Sequence, residues 1–393
     1  MIKYLRYFTM WALLVVTSLG FTLGEGWMWL GYLVTMVLVI GGDALAGDDL
    51  TEPEYRHTWL LNLQLYGSLP LLLLMLAPLA WMCGSSGDWL RIGAFAQSTF
   101  GWDLFAARSR TGAFDLFGGA MSAGLIVATA GTNIGHELTH RTWSPAAQIV
   151  GRWMLAMTCD TSFSIEHVYG HHTYIGTPRD PATARRGENA WAFVVRSVIG
   201  QSKSAWQLEK ERLAKKSLSV WSWRSRMPRG IAMSMVFFAA FYWAGGVTGL
   251  LVYALTAVWG RSLLEFVNYM EHYGLVRVPV TPVQSHHSWN TNRRISAFVL
   301  YNLTRHSHHH AEGDAPFWKL KPYPQAPLLP FGYLTTIFIT MIPPLWHRIM
   351  VPRLRHWDEH YASPAERRLA AEQNANSGLP GLRDTSSLSA ETA

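Results

Sequence analysis

Five stretches of the chain carry no Asp, Glu, Lys or Arg: 7–24, 26–42, 57–87, 116–135 and 230–260. A membrane span needs about 20 mostly apolar residues, so each predicts a transmembrane helix. The last predicts two, roughly 230–246 and 248–268, turning at Gly245-Gly246. That makes six spans. A secretory leader does not fit the first run, because a second apolar run follows after one Glu with no small-residue cleavage pattern between them. A further apolar run, 322–346, contains six prolines; it is expected to lie on or dip into the interface, since Pro interrupts the helix that lipid-exposed backbone requires. The chain therefore divides into four transmembrane helices over 1–135, an aqueous block at 136–229, a transmembrane hairpin at 230–268, a second aqueous and interfacial block at 269–361, and a surface or disordered tail at 362–393. The fold class is an all-α membrane protein of about six transmembrane helices.

Composition agrees. Of 393 residues, 49% are apolar and 15% charged, against roughly 25% charged in soluble domains. Nineteen Trp suit a protein with two bilayer interfaces. With the N-terminus inside, 29 of the 33 Lys and Arg fall on the inner side, so the net charge of +7 follows from topology and needs no nucleic acid. Two cysteines, Cys83 and Cys159, exclude a disulfide framework, a Cys-rich zinc site and a built-in iron–sulfur or rubredoxin centre.

Nine of the sixteen histidines fall in four short groups at the inner ends of spans. His136 and His140 stand at i and i+4. His167, His171 and His172 stand at i, i+4 and i+5, and His306, His309 and His310 at i, i+3 and i+4. His272 adds one more. On a helix, i and i+3 or i+4 project from one side, and neutral imidazole ligates Zn, Cu, Fe and Ni. Nine imidazoles exceed one ion's shell and predict two metals in a cytoplasmic histidine-rich cap. A single span over 230–268 would strand His272 across the bilayer, the reason for placing two. His57, His286, His287, His347, His356 and His360 lack partners at ligand spacing and read as structural or surface residues; His308 lies off the helix face of its neighbours.

The segments HELTHR (136–141), EHVYGHH (166–172), TPRDPATARRGE (177–188), NYMEHYGL (268–275) and RHSHHH (305–310) resemble the integral-membrane di-iron hydroxylases. These are the bacterial alkane 1-monooxygenases and the xylene and cymene monooxygenase hydroxylase components, within the fatty-acid desaturase-like group. Residues 208–221 resemble the alkane branch, and the stretch from Pro343 the xylene branch. The resemblance implies two non-haem iron ions, with O2 as co-substrate, on His136, His140, His167, His171, His172, His272, His306, His309 and His310. Glu137, Glu166, Asp180, Glu188 and Glu271 are available to orient ligands, with His308 standing where the alkane enzymes usually have Asp. It further implies hydroxylation of a terminal or methyl C–H bond of an apolar hydrocarbon in a bacterial inner membrane. The substrate would arrive through the bilayer by helices 27–42 and 116–135, and electrons would come from a rubredoxin or an iron–sulfur flavoprotein reductase. Terminal hydroxylation of an n-alkane is the first reading; methyl hydroxylation of alkyl-aromatics and lipid desaturation are alternatives on the same metal set.

Other classes fit less of the pattern. A zinc peptidase built on the HExxH of His136–His140 leaves seven clustered histidines unexplained. A metal transporter places ionisable residues within its spans, and here the spans are free of charge until Arg261 and Glu265. A carboxylate di-iron bundle needs paired Glu-x-x-His motifs, and only Glu137–His140 matches.

Overall fold

The computed structural model describes residues 2–84 and 87–383, so the last ten residues of the expected tail lie outside the described residues. Helices dominate, and no β-strand occurs among the described residues. Among the described residues, five helices are long and apolar enough to cross a membrane: α1 (Lys3–Leu23), α2 (Glu25–Ala46), α3 (Thr58–Met82), α4 (Ala113–His140) and the 47-residue α7 (Arg226–His272). Between α4 and α7 lie α5 (Pro145–Ala156) and α6 (Ala190–Ala214). Beyond α7 come α8 (His306–Ala311), α9 (Tyr333–Thr340), α10 (Pro343–His360) and α11 (Pro364–Asn376).

Helix α7 is a hairpin. Gly246 has φ +57° and ψ −139°, a combination open essentially to glycine alone. In one straight helix Phe241 and Tyr253 would be about 18 Å apart; their ring centroids are 4.7 Å apart. Phe237 and Phe238 pack on the same tyrosine. The legs 226–245 and 247–272 can each cross a hydrocarbon core of about 30 Å, giving six crossings.

Lipid tails provide no hydrophobic drive between helices, so close contact between small residues holds them together. A Cβ on Gly31 of α2 would fall 2.3 Å from Thr17 Oγ1 of α1. Where α4 meets the second leg of α7, a Cβ on Gly124 would fall 2.8 Å from the Thr256 carbonyl, and one on Gly260 3.1 Å from the Gly124 carbonyl. Further along α7, towards His272, the charges Arg261 and Glu265 are buried but paired. Arg261 bonds Asp160 and Glu265, and Glu265 also accepts from Gln201 of α6 at 2.9 Å and from Asn268 at 3.2 Å.

The proline-rich run ends in a sharp break: α9 and α10 meet at 118°, with Pro343-Pro344 opening α10. Helix α11 is docked on the segments that carry Arg186 and His287. Ser363 and Glu366 form its capping box, Glu366 bonds His287 at 2.6 Å, and Asn374 accepts from Arg186 at 2.7 Å.

Candidate metal centre

Four pieces of chain converge at the C-terminal ends of α4 and α7. Helix α4 delivers His136 and His140, segment 163–174 delivers His167, His171 and His172, the end of α7 delivers His272, and α8 delivers the last three. Each piece is fixed from outside. Ser144 caps α5, with Pro145 at its first position, and Gly135 of α4 faces Gly151 of α5, where either added Cβ would meet the other's carbonyl at 3.0 Å. Asp43, at the end of α2, accepts from Ser296 N and Oγ. The buried guanidinium of Arg305 donates to the carbonyls of Leu320, Asp49 and Thr51, anchoring α8.

Residues 167–171 form a π-turn, a feature often found at functional sites. In a regular α-helix, His167 and His172 would point about 140° apart. The wider turn brings i and i+5 onto one face, and their Nε2 atoms are 3.1 Å apart.

The nine histidines fall into two groups. In the first, Nε2 atoms close a ring: His136 to His167 2.8 Å, His167 to His172 3.1 Å, His172 to His309 3.1 Å and His309 to His136 3.0 Å. Two nitrogens about 2.1 Å from a shared ion and at right angles would stand about 3.0 Å apart. The rings of His167 and His309 lie opposite each other, parallel within 10° and 6.1 Å apart. His140 is 4.6 to 5.2 Å from all four rings, the position of an apex. Its Nε2 is buried without a hydrogen-bond partner. Five donors thus surround one point.

The second group holds His171, His272, His306 and His310. Nε2 of His306 is 3.2 Å from that of His272 and 2.9 Å from that of His310, and the His171 ring is 4.7 Å from His272 and 4.9 Å from His310. Nε2 of His171 is likewise buried and unpartnered. Orphaned buried nitrogens are costly, and a metal ion satisfies them. Each group can hold one.

The protonation states suit that task. Burial first, and neighbouring histidines next, hold His167, His172, His306, His309 and His310 well below the usual imidazole range, in the neutral form that binds metal. His171 is the exception. Burial alone would lower it, but Asp180, 2.9 Å from Nδ1, raises it. That bond keeps the Nδ1 proton and turns Nε2 inward.

The remaining polar candidates divide. Asp180 alone of the five carboxylates backs a ligand nitrogen; it also accepts from Thr183 Oγ1 at 2.6 Å. Glu271 corrects its expected place behind the ligands. Its Oε2 is 3.2 Å from Nε2 of His306, so it faces the centre, while its Oε1 accepts from Tyr333. Glu137 pairs with Arg141 at 2.8 Å and Glu188 with Arg196 at 2.6 Å; both are salt bridges that touch no clustered ring. Glu166 is buried near His171 and Asp180, and burial, with the nearby Asp180 charge, pushes it up to about 8. His308 turns away and packs on Tyr323, 4.9 Å between rings.

His286 and His287 gather near Glu366, but His287 Nδ1 accepts the Gln284 N–H. Nε2 must then carry the proton it donates to Glu366, which makes this a structural latch.

A cleft lined chiefly by apolar side chains runs from both groups into the helices. His136, His167, His306 and Glu271 stand at one end, and Thr35, Val39, Leu125, Leu263, Leu264 and Ile337 line it outward. Helices α2 and α4 were expected to form it; α7 and α9 were not. Tyr333, Asn133 and Asn268 also line it and were missed. Asn268 left a trace, as a polar residue within a membrane helix; Tyr333, inside an apolar run, left none.

Residues 114–324 match the fatty acid desaturase family. Alkane 1-monooxygenase 2 of Pseudomonas aeruginosa is 32% identical over 354 residues, 86% of this chain and 87% of its own. Alkane 1-monooxygenase 1 of the same organism is 34% identical over 276 residues, 69% of this chain and 71% of its own. The xylene/toluene monooxygenase hydroxylase component XylM of Pseudomonas putida is 29% identical over 385 residues, 96% of each chain. A double cluster of histidines at the C-terminal ends of membrane helices, with an apolar cleft leading to it, is thus accompanied by similarity along most of the chain: the chain belongs to the alkane 1-monooxygenase family, membrane monooxygenases built on the fatty acid desaturase domain.

Proposed function

We propose that the protein hydroxylates the terminal carbon of an n-alkane, using O2 and two iron ions held by the five- and four-histidine groups. The observation that supports this reading is the cleft, whose mostly apolar lining includes His136 and His167 of one group and His306 of the other. Methyl hydroxylation of an alkyl-aromatic is the second reading, favoured by the similarity to XylM across 96% of both chains.

Bound iron supplies the O2 activation that no side chain can provide. The protein's own residues supply the rest. Nine neutral imidazoles bring no negative charge to the ions, and the Glu271 carboxylate, held by Tyr333, offers one. Asp180 fixes the tautomer of His171, so that this ring presents a lone pair inward. Leu125, Leu263 and Leu264 exclude water and leave the substrate's end as the part that reaches the histidines.

The electron donor is external, a rubredoxin or an iron–sulfur flavoprotein reductase, since the chain's two free cysteines cannot hold a redox centre. The protein resides in a bacterial inner membrane with the histidines on the cytoplasmic side, a reading supported by the basic residues flanking those helix ends. Elemental analysis of active, purified protein is expected to find two irons per chain, and whole cells fed a panel of alkanes and alkyl-benzenes are expected to yield 1-alkanols. A single zinc, or product only at aromatic methyl groups, would refute the first reading. Reporter fusions at residues 216 and 281 are expected in one compartment, the cytoplasm.

A further inference from the structure

The cleft holds one polar group that the histidine centre does not use. Among its lining residues, Thr35 and Thr129 donate their hydroxyls to the carbonyls of Gly31 and Leu125. Thr132 faces the Thr158 hydroxyl at 3.4 Å, Asn268 donates to Glu265, and Tyr333 donates to Glu271. Asn133 is different. It lines the cleft, it is 7% exposed, and its Nδ2 is buried without a hydrogen-bond partner. A buried amide N–H left unpaired is costly, and an alkane offers it nothing.

Its placement is specific. Asn133 stands three residues before His136, about 4.5 Å along α4, and on the same side of the helix. Residues 127–132 form a π-turn, a feature often found at functional sites. In a regular α-helix Leu125 and Asn133 would point about 80° apart. The extra residue of the wider turn brings them within about 20° of one line, and both line the cleft. The amide thus sits at the histidine end of a chiefly apolar passage, where the oxygen of a newly made alcohol would lie.

We propose that Asn133 is a subsite for the hydroxyl of a primary alcohol: its amide holds the oxygen of the 1-alkanol while the alkyl chain fills the space an alkane fills. The inference rests on the alkane reading above. A hydroxyl both accepts and donates, so it can pair with either end of the amide. The group makes no hydrogen bond to the substrate and bonds only the product. It therefore keeps the oxygenated carbon next to the histidines and lets the alcohol compete with fresh alkane.

The test uses the iron-loaded full chain in nanodiscs, without O2, and compares 1-octanol with nonane, which carries a methyl group where the alcohol carries its hydroxyl. Each Kd comes from the ligand-induced rise in melting temperature, with protein-free nanodiscs correcting for partition into lipid. Asn133→Leu is expected to raise the 1-octanol Kd at least fivefold and to leave the nonane Kd within twofold, with iron content unchanged. In turnover, the inhibition constant of 1-octanol against octane is expected to rise by the same factor while the KM for octane stays within twofold. Asn133→Met, a second apolar variant should the first fail to fold, is expected to behave alike. An unchanged 1-octanol Kd in either variant, or equal weakening of 1-octanol and nonane, would overturn the subsite while leaving the function intact. Whole cells that form no 1-alkanol from any alkane would overturn the function and the subsite together.

Discussion

Asp180 Oδ2 stands 2.9 Å from His171 Nδ1, and Asp180 is the one carboxylate of the site that backs a ligand-side ring. Replacing it by Asn keeps the shape but removes the charge and weakens the hold on the tautomer. Changes of this kind typically cost 10- to 100-fold in metal affinity or activity. Asp180→Asn is expected to empty the four-histidine group first, seen as iron falling from two towards one per chain, with activity lost in step.

His140→Ala and His310→Ala remove one donor from the five- and the four-histidine group, and each is expected to lose iron and turnover. His287→Ala is expected to keep both. It breaks the 2.6 Å bond to Glu366 and so costs about 1–3 kcal/mol of stability, visible as a lower melting temperature with iron content unchanged. Normal turnover in His140→Ala would contradict the assignment.

Acid should undo the centre in a defined range. His167, His172, His306, His309 and His310 are held well below the usual range, and burial pushes His287 down to about 4. The unfolded chain takes up these protons near pH 6.5, whereas the folded chain resists until lower pH. Stability from these groups is complete above about pH 6.5 and falls as pH drops towards 4. Melting temperature and iron content are both expected to decline over that interval and to be flat from pH 7 to 8.

Gly124 and Gly260 let α4 and α7 touch at the outer end of the cleft. Gly124→Val would drive side-chain atoms towards Trp259 Cδ1 and the Thr256 carbonyl, each already 2.8 Å from a Cβ. Such overpacking costs about 1–3 kcal/mol. The variant is expected to melt lower in detergent and to lose activity towards every alkane alike.

Leu125 lies eleven residues before His136, about 16 Å along the helix, and lines the same cleft. Leu125→Ala is expected to shift the preferred alkane to greater length, and Leu125→Trp to shorter, as measured by relative rates across a chain-length series with iron content unchanged.

The nine histidines were legible because ligand spacing is a local property: i, i+3 and i+4 can be read along a line of residues. The hairpin at Gly245-Gly246 was legible only indirectly, from the need to bring His272 to the others. The split into five and four was not legible, since it depends on how four pieces of chain meet in space. The π-turn at 167–171 was hidden too, although the i+5 position of His172 is the trace it leaves. Glu137 carried its own answer in Arg141, four residues on, the spacing of a helical salt bridge. Glu271 did not, because facing inward or outward depends on Tyr333, sixty-two residues away.

His171 and His172 are consecutive, yet they serve different groups, and so do His309 and His310. Two single peptide links therefore bridge the centres, each holding neighbouring Cα atoms about 3.8 Å apart. Covalent geometry acts here as a ruler. Ions held by the two groups could not drift apart or slide past one another without distorting the chain in two places, so the spacing of the two groups is set by the chain itself.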